Sequence, residues 1–167
     1  MTAPTLHTDR LTLRHHRLDD FEPYAAIRAS SDSQFMGGPY DRDRAWGAFC
    51  SDIAQWELLG FGAWAVDLSA TDELVAQVGL NRPPSFPERE IGWVTYPTHR
   101  GHGYATEAAR AVRTYAFDVI GWDTLVSYID EGNAASIAVA EKLGAVRDPD
   151  ASKPDPEDIV YRHRRPA

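Results

Sequence analysis

The ten residues HRGHGYATEA, His99 to Ala108, constrain this chain more than any other feature. Gly101 and Gly103 make a pliable turn with Arg100 and His102 beside them. Behind it, Tyr104, Ala108, Ala111, Val112, Tyr115, Ala116 and Val119 fall on one helical stripe. In front runs REIGWVTY, a strand pattern whose pairing ends at Pro97. The turn therefore joins a strand to the N-terminus of a helix. Such an end presents free N–H groups and roughly +0.5 of an elementary charge, which suits a phosphate. Glycine lets the backbone approach an anion without a Cβ and adopt positive φ. On the turn alone, phosphate binding and a plain connecting cap stand level. The Gly-Lys-Ser/Thr ending of a Walker A loop is absent. A dinucleotide fingerprint needs a third glycine at position 106, where Thr106 stands, and follows the first strand of a parallel unit.

The flanking pattern predicts one mixed α/β domain over residues 1–167. Leu11, Leu13 and His15 alternate as a strand, and Phe21, Tyr24, Ala25 and Arg28 recur at helical spacing behind an Asp19 or Asp20 cap. A second helix carries Trp46, Phe49, Cys50, Ile53 and Trp56 and stops at Gly60. Phe61–Leu68 and Leu74–Leu80 read as a hairpin. After the glycine turn and its helix come the strand DTLVSYID, a short helix from Asn133 to Gly144, and a last strand DIVYRHR. This gives a central sheet of about six to seven strands, mixed but mostly antiparallel, flanked by about four helices.

Composition narrows the partners. A net charge of −8 repels nucleic acid and anionic membranes, so an anionic ligand needs a local basic cluster. One cysteine, Cys50, excludes an internal disulfide framework and fits a reducing, cytoplasmic setting. The opening MTAPTLHTDR lacks an apolar signal core, and no apolar run approaches the ~18 residues of a membrane span. His15, His16, His99 and His102 have no metal-ligand spacing, so no metal is expected.

Arg100-Gly-His-Gly-Tyr-Ala105 fits Arg/Gln-x-x-Gly-x-Gly/Ala, the pyrophosphate signature of the GNAT superfamily of N-acetyltransferases. The chain resembles that family over nearly its whole length. RLTLR, EIGWVTYPTHRGHGYATEA and DEGNAASIAVAEKLGA stand in the order of its ribosomal-protein-alanine N-acetyltransferase branch.

The resemblance implies acetyl-CoA as cosubstrate, bound in a splayed cleft between the fourth and fifth strands of this reading. Trp93, Val94 and Thr95 would meet the pantetheine, and Arg100, Gly101, His102, Gly103, Tyr104, Ala105 and Thr106 the pyrophosphate. Asn133 would reach the pantetheine arm as well as capping its helix. Glu90 matches the family's base position, needed because the acceptor amine is mostly protonated at neutral pH. The family's tyrosine acid is replaced by Ala140, and Ser136 matches a serine proposed as donor to the leaving thiolate in the ribosomal-protein branch. FMGGPY (Phe35, Met36, Gly37) and RPPSFPE (Phe86) are candidate walls for the acceptor. The implied function is acetyl transfer to a primary amine, the acceptor a protein N-terminus or alternatively a small amine, amino acid or drug. An inactive CoA-binding module is the other alternative. Either a monomer or a homodimer is expected.

Overall fold

Leu11 and Leu13 alternate with polar neighbours, and both are fully buried in the second strand of the sheet. In a computed structural model, which describes residues 2–166, the elements run β1 (Leu6–His7), β2 (Leu11–Arg14), α1 (Phe21–Ala29), α2 (Arg42–Leu59), β3 (Ala63–Leu68) and β4 (Leu74–Asn81). They continue as β5 (Glu90–Thr95), α3 (Tyr104–Asp118), β6 (Thr124–Asp130), α4 (Ala134–Lys142), β7 (Val146–Arg147) and β8 (Asp158–Arg164). The eight strands form one sheet in the order β1-β2-β3-β4-β5-β6-β8-β7. Every neighbouring pair is antiparallel except β5 and β6, which are parallel. The two-residue edge strands β1 and β7 are additions to the expected set, so the fourth and fifth expected strands are β5 and β6.

Alternation along β4 divides the layers. Ala76, Val78 and Leu80 point into the main core with Ala108, Ala109, Val112 and Ala116 of α3. Gln77 and Asn81 point to the opposite face, where they meet Asp52 and Gln55 of α2. α1 and α2 pack together there through Phe21, Tyr24, Ala45 and Phe49. Trp56 and Trp64 meet edge to face at 4.5 Å and donate to the Ala63 and Pro4 carbonyls, so neither buried indole N–H is left bare. Among the described residues no helix is long and apolar enough to cross a membrane.

Asp20 does not use its side chain to cap α1. Its carboxylate instead accepts from the Arg17 amide and from Arg14, which also binds Asp67. Burial pushes the Asp20 carboxyl up, but Arg14 and the other donors outweigh it and hold it well below the usual carboxylate range. All three side chains are nearly buried, so removing the cation strands two carboxylates. Arg14→Leu is expected to cost about 3–5 kcal/mol in denaturant unfolding at neutral pH.

Candidate active site

The parallel pair β5–β6 holds register only at Glu90 and Val126. Where the strands part, the Ser127 hydroxyl donates to the Ile91 carbonyl at 2.7 Å and lies 3.1 Å from His163 Nε2. Burial pushes the His163 imidazole down to about 4, so it stays neutral at this junction. Beyond it β5 carries β4 on one side only, and two adjoining cavities open. One has a volume of about 600 Å³, the other about 390 Å³. Phe35, Met36, Trp93, Val94, Asn133 and Ser136 line both, so these residues mark the boundary.

The smaller cavity lies at the N-terminus of α3. Trp93, Val94, Thr95, Arg100, Gly101, Gly103, Tyr104, Ala105, Thr106 and Asn133 all line it. Gly101 and Gly103 both have φ of +80°, a conformation that a branched side chain strongly disfavours. Gly103 is the residue immediately before α3, which leaves the first helical amides directed outward. His102 does not line the cavity: its ring stacks on Tyr104 and lies against the His99 and Arg100 carbonyls. Lys142, at the end of α4, contributes a cation to this cavity that the sequence reading missed. Its signal was the basic last turn of the helix opened by Asn133.

The larger cavity holds Glu90, which is 7% exposed. Burial pushes its carboxyl up to about 8, opposed by a hydrogen bond from Asn81 and reinforced by the negative charges of Asp52 and Asp158. Asn81 Nδ2 donates to Oε2 at 2.6 Å. The other oxygen, Oε1, lies over Gly92, where an added Cβ would stand 2.7 Å from it. Gly37 and Phe86 line this cavity too, Phe86 edge-on to Tyr128 with centroids 5.1 Å apart. Asp52, Gln77 and Asn81 are wall residues that sequence reading did not pick out. Two amides at spacing four in the apolar strand LVAQVGLN were the available signal.

Asn133 caps α4 by accepting from the Ser136 amide at 3.1 Å. Ala140 is fully buried with Ile129, Ala145, Ile159 and Tyr161, away from both cavities. Among the described residues no cluster of three or more His, Cys, Asp or Glu could hold a metal ion.

A splayed parallel strand pair above a glycine-opened helix end defines the acetyltransferase class of fold. The acetyltransferase (GNAT) domain model matches residues 10–146, and the chain belongs to that family and is an acyltransferase. It is similar to the crystal structure of an acetyltransferase from Agrobacterium tumefaciens str. C58, at 48% identity and a TM-score of 0.95, covering 99% of this chain and 96% of that one. YkkB of Bacillus subtilis (strain 168) is 38% identical over 87 residues, which is about half (51%) of each chain. A ribosomal-protein-S5-alanine acetyltransferase from Vibrio fischeri shares the fold, with a TM-score of 0.71 over 97% of each chain at 12% identity.

Proposed function

We propose that the chain transfers the acetyl group of acetyl-CoA to a primary amine by direct attack, with both substrates meeting where the two cavities join. The observation that carries this reading is the buried Glu90 in one cavity and the glycine-opened helix terminus in the cavity adjoining it. The donor supplies an acetyl thioester, and the protein supplies placement and proton transfer. The amides at the start of α3, with Arg100 and Lys142, suit the pyrophosphate. The free edge of Trp93, Val94 and Thr95 suits the amide-bearing arm.

A carboxyl raised to about 8 is a stronger base than an ordinary glutamate, close in strength to an α-amine and nearer to an alkylamine than a free carboxylate is. As the amine nitrogen bonds to the acetyl carbon and the carbon–sulfur bond breaks, Glu90 Oε1 takes the amine proton. Ser136, on the wall common to both cavities, would donate a hydrogen bond to the leaving sulfur, which departs as a thiolate and takes its proton from solvent.

Lys142 is exposed, so its contribution is that of a solvent-screened charge. Lys142→Met is expected to raise the acetyl-CoA KM about 3- to 5-fold with kcat held, measured by initial rates. The function itself is tested by thiol release from acetyl-CoA across a panel of peptide N-termini and small amines, with products identified by mass. Amine-dependent release with a matching acetylated product is the expected result. Tight CoA binding without turnover of any amine would instead make this an inactive binding module.

A further inference from the structure

Beneath the larger cavity, Gly79 of β4 and Gly92 of β5 are cross-strand partners. Neither has a side chain of its own, so the floor of the cavity there is backbone, with the Glu90 carboxyl lying over Gly92. Gln77, Gly79 and Asn81 share one face of β4, so this floor separates two polar stations. At one end Asn81 holds Glu90. At the other stands Asp52, whose Oδ2 accepts from the Tyr24 hydroxyl at 3.1 Å and from Gln77 Nε2 at 2.9 Å.

Gln77 is 7% exposed, and its Oε1 has no hydrogen-bond partner among the described residues. A carboxylate and a bare amide oxygen side by side offer only acceptors, the complement of an ammonium with three N–H donors. The surrounding wall has the same bias. It carries Asp52, Glu90, Asp130, Asp155, Glu157 and Asp158 against a single cation, Arg28. The Arg28 guanidinium lies over the Tyr24 and Tyr40 rings, 5.0 and 5.5 Å from their centroids.

We propose that Asp52 and Gln77 form a subsite for a second positive charge, and that the preferred acceptor is a dication: a primary amine bearing a further ammonium or guanidinium group. This rests on the amine acetylation proposed above. Gln77 lies two residues along the strand from Gly79, whose partner Gly92 sits under the Glu90 carboxyl, and four from Asn81, so the two charges are roughly 7–13 Å apart and joined by a chain of several atoms. A free diamine and a peptide N-terminus with a neighbouring lysine share this chemistry.

The test compares kcat/KM for alkyl diamines against monoamines of equal length, and for short peptides with lysine or leucine at the second position. Preference for the diamine marks a free small molecule, and preference for the lysine peptide alone marks a protein end. In either arm the dication is expected to win by about tenfold or more, and Asp52→Asn to remove most of that preference. Asparagine keeps an oxygen for Tyr24 and Gln77, and melting curves check that the variant folds. Because Asp52 also acts on Glu90, the ratio of the two acceptors is read, which cancels an effect common to both. Calorimetric binding of the same amines to the CoA-loaded wild-type protein reads the subsite without turnover, so it stands even where acetylation fails. Equal affinity and turnover for dication and monocation, or a ratio that Asp52→Asn leaves unchanged, would overturn the proposal.

Discussion

Gly103→Val is expected to weaken acetyl-CoA binding by roughly 100-fold or more, read by calorimetry on folded protein. A β-branched residue at φ +80° is strained by about 1–3 kcal/mol, which drives the turn out of its left-handed conformation. The amides at the start of α3 then lose their common direction, and with it their hold on a phosphate. Gly60→Val supplies the control, since Gly60 has φ of +77° at the end of α2 and lines neither cavity. It should lower stability while leaving acetyl-CoA affinity intact. Equal losses of affinity in the two variants would make the effect one of general strain rather than of a phosphate site.

Glu90→Gln is expected to lower kcat/KM by roughly 10²–10⁴-fold near pH 8, because it retains shape and removes the proton acceptor. The wild-type rate should climb with pH through about 8 as the carboxylate forms, and the glutamine variant should lack that step. Stability gives an independent reading with a definite sign. The carboxyl rises from 4.5 to about 8 on folding, so between those values the native state binds more protons than the unfolded chain. Wild-type stability therefore falls as pH rises across that window, and the variant is spared this loss. Thermal melting at pH 5 and pH 9 should show the variant gaining on the wild type at the higher pH. Parallel melting curves and wild-type rates from pH 6 to 9 would remove Glu90 from the mechanism.

Local pattern carried the fold because most elements here are decided by their own periodicity. Asn133 announced α4, and its cap to the Ser136 amide is present. Alternation in LTLR announced β2, whose leucines are fully buried. The two-residue strands β1 and β7 have no such signal, since they exist only through pairing with β2 and β8. Trp46 sat on the expected apolar stripe of α2 yet is 44% exposed, packing edge-on against Phe21 at the open side of the helix pair. Asp20 read as a cap because cap residues are short and polar, but Arg14 from β2 drew its carboxylate inward. No local pattern encodes that pairing.

The candidate site was legible in part for the same reason. The glycine turn is contiguous in sequence, so Arg100 to Thr106 could be read as one unit, save that His102 turns aside onto Tyr104. The surroundings of Glu90 are not contiguous. Asn81 arrives from the neighbouring strand, Asp52 from a helix on the sheet face, and Asp158 from the last strand. The residue was visible as a candidate base, but its raised affinity for a proton arises only once those elements are assembled.

The central claim is that one cleft holds the donor along α3 and β5 with its thioester facing Glu90. A crystal structure of the protein with acetyl-CoA tests it most directly. The account predicts the pyrophosphate on the amides of residues 100–105, the arm along Trp93 to Thr95, and the thioester between Ser136 and Glu90. A cofactor bound elsewhere, or in this cleft with its thioester turned away from Glu90, would contradict it.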